Sequence, residues 1–260
     1  LMGASEDGAA TTDTGGAQNT ADAFRMVSPT TQSSTDGTAT GSLITDGLRL
    51  NATDAFAAAY QVKVLLIGGA GVTGCNVGSV DTNATINTAT TVSTVGFESD
   101  LILFWSLSDT SSVPSNTMLS FGAYVRDGSH TQAALSMIDS TAVNPSSASQ
   151  MLSTGRVVRR VVNGVNGTAA EIGNITSSGF DITTRDATTQ LTVQYLAINL
   201  APTLSATLLT DASPTSTGSE AITGVGFKPQ FAMGLYGSAL ANGTLYTDGN
   251  AESWGLGLIT

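Results

Sequence analysis

Apolar residues in this chain recur in short runs, alternating or continuous, of about four to eight positions. The clearest are Leu101 to Trp105, Arg156 to Val162, Leu191 to Ile198 and Phe231 to Leu235. Between the runs stand Asp46-Gly47, Asp127-Gly128, Asn163-Gly164, Asn166-Gly167, Asn242-Gly243 and Asp248-Gly249, dipeptides suited to tight reversals between strands. No long 3.6-residue periodicity is visible, and AFAAAY, Ala55 to Tyr60, is the one short stretch with helical composition. Many short strands bounded by Gly, Asn and Asp predict an all-β fold of sandwich or jelly-roll type.

The pattern is also written twice. TVSTVGFESDLILFWS (Thr91 to Ser106) is answered by EAITGVGFKPQFAMGLYG (Glu220 to Gly237), each with Val-Gly-Phe ahead of an apolar run. SLITDGLRL (Ser42 to Leu50) matches NITSSGFDI (Asn174 to Ile182), and YQVKVLLIGGA (Tyr60 to Ala70) matches LTVQYLAINLA (Leu191 to Ala201). Ser120-Phe121-Gly122 matches Ser253-Trp254-Gly255. The four pairs share one order and nearly one offset, about 130 positions. This predicts two tandem β-sandwich, jelly-roll-like modules related by an internal repeat. Residues 93–224 form one complete module, residues 1–92 the later part of another, and residues 225–260 its first strands. An unfinished sandwich would expose sheet edges and half a core, so 225–260 is expected to complete 1–92, within the chain or in a neighbour.

The repeat bears on VKVLLIGGAGVTG, Val62 to Gly74, where Gly69, Gly71 and Gly74 spell G-x-G-x-x-G. A dinucleotide site needs a strand before these glycines and a helix opening after them. The repeat partner, VQYLAINLAPTLS, has no such glycines, and CNVGSVDTNATINTATTV after Gly74 is poor in helix formers. The expectation is a loop after a strand, with no cofactor bound.

Read in order, VGFESDLILFW, SFGA, MLSTGRVVRR, SSGFDI and VQYLAINL resemble a module found in structural and uncharacterised virion proteins of tailed bacteriophages, often marine ones. Lys228-Pro229 keeps that family's Gly-Phe-x-Pro proline, Glu98-Ser99 departs from it, and VLLIGG keeps only the apolar character of the closing strand. The resemblance spans nearly the whole chain and implies a virion β-sandwich. It carries over no catalytic residue.

Charged residues are only 11% of the chain, against roughly 25% in ordinary soluble domains. Net charge is −11, and Lys63 and Lys228 are the only lysines. So few cations disfavour nucleic acid and anionic membrane surfaces as partners. No apolar run approaches the roughly 20 residues of a spanning helix. The opening LMGASEDGAA has neither the basic nor the apolar region of a signal peptide, and without an initiator Met the chain is expected to be processed or partial.

Candidate chemistry is sparse. Cys75 is the only cysteine, expected to be buried or half-buried, and His130 the only histidine, expected in a solvated turn. Neither has a matching ligand set for a metal nor a neighbouring base for nucleophilic catalysis. The acid pairs Glu6-Asp7, Glu98 with Asp100, and Asp181 with Asp186 lie among turn residues, where acids cap and solvate. No calcium-loop pattern is present, so no metal is expected, although Asp-rich loops can hold weak cation sites. Asn51, Asn83, Asn166, Asn174 and Asn242 stand in N-x-T sequons, which a Thr-rich chain produces by chance. Trp105 and Trp254 are expected to pack in the core, leaving Tyr236 and Tyr246, around a Gly-Ser-Asn loop, as exposed contact residues. Arg156, Arg159 and Arg160 form the one basic cluster; on a strand Arg156 and Arg160 share a face and offer a docking point for a neighbour's carboxylates. The sequence therefore predicts a non-enzymatic phage virion component, in capsid decoration, a head or tail fibre or another tail part. It would bind other virion proteins and copies of itself as a homo-oligomer. The alternative is an adhesin binding a receptor or host-surface glycan.

Overall fold

The computed structural model describes residues 2–5, 14–17, 22–27, 35–59, 64, 66–107, 116–140, 148–162, 165–209, 211, 217–219, 221–237, 242–248 and 254–259. All its regular structure is strand. In chain order these are β1 (Met2–Ser5), β2 (Thr14–Ala17), β3 (Phe24–Val27), β4 (Thr35–Ile44), β5 (Gly47–Asp54) and β6 (Val72–Asp81). Then come β7 (Ala89–Val92), β8 (Leu101–Leu107), β9 (Asn116–Val125), β10 (Thr131–Ser140), β11 (Ala148–Thr154) and β12 (Val158–Val162). The last six are β13 (Val165–Thr176), β14 (Gly179–Asp186), β15 (Thr192–Leu200), β16 (Ala232–Gly237), β17 (Leu245–Asp248) and β18 (Trp254–Ile259). The protein is all-β, and every strand pairing is antiparallel.

A seven-stranded sheet in the order β17-β11-β10-β9-β8-β15-β6 and a four-stranded sheet in the order β12-β13-β14-β7 share one hydrophobic core. Alternation along each strand decides what enters it. Ile102 and Phe104 of β8, Met118 and Tyr124 of β9, and Val193 and Tyr195 of β15 point inward, and Phe180 and Ile182 of β14 meet them. Phe180 stands edge-on to Phe104 at 5.7 Å and to Tyr195 at 5.1 Å, the quadrupole-favoured arrangement. The chain entering β12 comes so close to the larger sheet that a Cβ on Gly122 would sit 1.9 Å from the Val157 carbonyl oxygen. Only glycine fits there. Beside it, buried Ser106, Ser120 and Ser136 lie opposite one another across β8, β9 and β10. They keep this part of the face small, and Ser120 Oγ accepts the Arg159 N–H at 3.1 Å.

Strands β6 and β7, from residues 72–92, join these two sheets through β15 and β14, and β17 pairs with β11 on the opposite edge. The remaining strands form separate sheets: β1-β2, β3-β4-β5 and β16-β18. β4 and β5 make a hairpin that turns through Thr45-Asp46 and resumes at Gly47; β13 and β14 turn through Ser177-Ser178 and resume at Gly179.

Some expectations change. Residues 55–59 take no helical turn. After Gly69 and Gly71 the chain enters β6, so a strand follows the glycines and no helix N-terminus faces them. Val64 and residues 66–68 are irregular and exposed, so the strand expected ahead of those glycines is not formed at the described positions. Asn166-Gly167 lies inside β13 and makes no turn, while Asn163-Gly164 lies outside the described residues.

Candidate functional site

The basic cluster comes first. Arg159 is buried at 7% exposure and its Nη1 lies 2.6 Å from Asp186 Oδ2. Arg156 Nη1 lies 2.6 Å from Glu171 Oε2, and Glu171 also holds Arg185 at 2.6 Å. Arg160 donates to Thr189 Oγ1, and burial lowers its pKa below the ordinary guanidinium value. β12 and its approach thus hold all three arginines near one another, and each has a partner within the chain. Tyr236 is 61% exposed on β16, its ring lying over Gly255 of β18. Tyr246 pairs through its backbone register with Gln150, and its side chain lies outside the described residues. The arginines and the tyrosines sit on different sheets.

A cleft of about 730 Å³ opens at the end of the seven-stranded sheet where β8 begins and β9 and β15 finish. Asp100, Arg126, Thr73, Asn199 and Phe227 contribute to its wall. Asp100 anchors it: one carboxylate oxygen takes Arg126 Nη2, and the other accepts the Leu200 N–H at 2.8 Å. Glu98 accepts from Arg126 Nη1 at 3.1 Å. The hydrogen bond to Asp100 chiefly holds Arg126 protonated, with burial opposing. Asn199 links Glu98 O at 2.7 Å and the Thr73 hydroxyl at 2.5 Å. Burial would raise the Asp127 pKa, but hydrogen bonds from Thr131 and Ser129 outweigh it and lower it overall. Behind the cleft, the Tyr124 hydroxyl meets His130 Nδ1 at 2.5 Å, and His130 takes a left-handed φ of 54°. Burial first, then the acids Asp127, Glu98 and Asp100, push Tyr124 up to about 12 against the opposing charge of Arg126. Its hydroxyl therefore stays protonated.

What this arrangement offers chemically is hydrogen bonding: hydroxyl, amide and guanidinium groups around a polar floor. Glu98 and Asp100, a candidate acid pair, do not face each other across a gap as hydrolysis of a glycoside would need; both hold Arg126. Asp181 and Asp186 go separate ways, to Thr91 and to Arg159. Cys75 is exposed on β6, against the expectation of a buried or half-buried thiol. Trp105 also departs from expectation. Ile102, Phe104 and Ser106 take the inward positions of β8, so Trp105 lies half-buried on the opposite face with its indole N–H on Gln194 Oε1 at 2.7 Å. The Trp254 side chain lies outside the described residues. Among the described residues no three or more His, Cys, Asp or Glu side chains gather in a metal-binding group. Sequence reasoning missed Arg126 and Tyr124 as wall and backing of a cleft. The signal was the run Tyr-Val-Arg-Asp-Gly ahead of a turn, with Arg126 some 26 and 28 positions in sequence from Asp100 and Glu98 but beside them once β8 and β9 pair.

Fold and cleft together define an all-β protein of several antiparallel sheets with a polar cleft at one sheet end. Compared with known protein families, curated proteins and solved structures, the chain matches none.

Proposed function

We propose that the chain is a non-enzymatic structural component of a bacteriophage virion, built from repeated β-sandwich units and acting in capsid decoration or in a fibre or tail part. On this reading it works in the extracellular particle, among copies of itself and other virion proteins, with neither nucleic acid nor membrane as partner. The observation that carries the repeat is the recurrence of one hairpin with one register: Ile44 faces Gly47 across Thr45-Asp46, and Thr176 faces Gly179 across Ser177-Ser178. Gly96 and Gly226, both in Val-Gly-Phe, share a left-handed φ of 88° and 77°. The core shared by two sheets supports the sandwich; in place of the expected 93–224 we propose residues 72–200 as the complete unit, on the pairing of β6 and β7 with β15 and β14. The virion assignment rests on the sequence resemblance and on a polar, weakly charged chain suited to wide, wet contacts. An antibody against residues 72–200 tests it on gradient-purified phage particles from the source culture. Signal co-sedimenting with intact particles supports the assignment; signal confined to the soluble fraction overturns it.

A second reading, a glycan- or receptor-binding adhesin, is favoured by the cleft and by the exposed rings of Phe227 and Tyr236. A glycan-binding screen in which Phe227→Ala, Tyr236→Ala or Tyr246→Ala abolishes a specific signal would favour it. No binding in the screen would leave the structural reading alone.

A further inference from the structure

Two exposed faces of this protein carry the pattern of a core. On the β4–β5 hairpin, Leu43 pairs with Leu48 and Gly41 with Leu50, which puts the three leucines on one face. Leu43 is 82% exposed and Leu50 39%. On the β13–β14 hairpin the same positions relative to the turn are Ile175, Phe180 and Ile182, and the last two are fully buried. What covers them is known within the molecule: Phe104 of β8 and Tyr195 of β15 lie on the Phe180 ring.

The counterpart of β8 is β16, which follows Val225-Gly226-Phe227 as β8 follows Val95-Gly96-Phe97. The inward residues of β8, Ile102, Phe104 and Ser106, align with Ala232, Gly234 and Tyr236, and these are exposed. Register brings Gly255, Gly257 and Ile259 of β18 to the same face, with Ile259 70% exposed. The other face of this small sheet is turned toward the chain's own body, where a Cβ on Gly237 would sit 3.2 Å from Leu135 Cδ1. The chain then continues into β17, which is hydrogen-bonded to β11. The free face therefore points away from its own chain.

We propose that the exposed face of β16–β18 in one copy docks on the Leu43-Leu48-Leu50 face of β4–β5 in a second copy, rebuilding between chains the contact that β8 and β14 make within one. The proposal rests on the repeated-unit reading and names its partner segment. Neither face carries a charged side chain, so docking strips water from no ion. In a chain of net charge −11, these are the surfaces on which two like-charged copies can meet. The internal contact also specifies a polar anchor. Gly96 N–H donates to Ser178 O in the hairpin turn at 3.0 Å, so Gly226 N–H of one copy is assigned to the Asp46 carbonyl of the other.

Sedimentation of the full chain over a dilution series tests this, with two double variants, Leu43→Lys/Leu50→Lys and Tyr236→Lys/Ile259→Lys. All four side chains are exposed, so a monomer tolerates the changes. The native chain is expected to associate, and each double variant alone to weaken association by about 100-fold or more. Mixed together, the two variants retain one intact pair of faces between them and are expected to form a heterodimer and nothing larger. A native chain that stays monomeric at every concentration, or variants that remain monomeric when mixed, overturns the docking between copies. Denaturant unfolding of the leucine-face variant then separates the causes. A marked loss of stability in a monomer means the face is covered within the chain, and the repeat reading survives. No loss of stability and no change of mass means that reading fails as well.

Discussion

Two hairpins of nearly the same design meet opposite fates. In β13–β14, Phe180 and Ile182 are sealed between two sheets; in β4–β5, Leu48 is half-buried and Leu50 substantially exposed. Strand propensity, turn length and alternation are alike, so local sequence does not account for the difference. A second layer does: β8 and β15 lie over one hairpin, and the other belongs to a three-stranded sheet of its own. A sheet with one apolar face needs a second layer to bury it; β13–β14 has that layer, and the leucines of β4–β5 stay exposed or half-buried.

The largest expected effect comes from emptying the sealed hairpin. Phe180→Ala should cost about 3 to 5 kcal/mol, since it removes an aromatic side chain and leaves a cavity between Phe104 and Tyr195. Leu43→Ala, on the same face of the open hairpin and 82% exposed, should cost under about 1 kcal/mol in dilute protein, where little surface was withdrawn from water. Urea unfolding followed by circular dichroism gives both values. Equal costs would mean that the two hairpins are not different environments.

Next comes pH, which acts on the sealed body through Tyr124. Its pKa is raised in the folded protein from the ordinary 10 to about 12. The fold therefore binds that proton more tightly than the unfolded chain. The stabilisation is complete below pH 10 and is lost as pH rises from 10 through 12. A shift of this size corresponds to roughly 2 to 3 kcal/mol. Tyr124→Phe should flatten stability over this window, and an unchanged alkaline profile in that variant would remove Tyr124 as its cause.

A third, smaller effect separates the arginines. Arg159 beside the sealed sheet is buried and answered by Asp186, whose side chain is half-exposed. Asp186→Asn leaves the buried guanidinium without its counter-charge and should cost about 2 kcal/mol, below the full penalty for a wholly buried pair. In the open sheet Arg25 donates, among the described residues, to the Thr35 hydroxyl, at 2.9 Å from Nη2. Thr35→Ala should cost no more than about 0.5 kcal/mol, measured in the same unfolding series.

These contrasts mark what the sequence made legible. The strands β8, β12, β15 and β16 and the hairpin turn at Asp46-Gly47 follow from alternation and turn chemistry, which are local. The apolar character of VLLIGG did not suffice to make its described residues a strand, because a strand needs a neighbour to hydrogen-bond. Trp105 was misplaced for a related reason. Leu101, Leu103 and Trp105 are as apolar as Ile102 and Phe104, so the run does not say which set faces the second sheet. The arginine cluster was legible as a cluster, but Asp186 is 27 positions from Arg159, and the partner appears only once β12, β13 and β14 are laid side by side. The cleft was the least legible feature, since Asp100, Arg126 and Asn199 come from three strand ends that meet only in the folded sheet.

The smallest effect gives the finest test of the comparison. Gly96 and Gly226 hold the same left-handed φ in the same Val-Gly-Phe setting. Alanine at either place should meet about 1 kcal/mol of backbone strain. What differs is the structure each turn supports. Gly96 N–H grips the Ser178 carbonyl, and Val95 beside it is 4% exposed. Gly96→Ala should therefore lower the unfolding midpoint of the sealed body at any protein concentration. Gly226 precedes Phe227, which is 38% exposed on the cleft wall, and the strand that follows belongs to the separate β16–β18 sheet. Gly226→Ala should lower dilute stability by no more than that strain, about 1 kcal/mol, and lower it further only at concentrations where copies associate. If both alanines act alike in dilute protein, the C-terminal turn already has its partner inside the chain, and the contrast between a sealed and an open half dissolves.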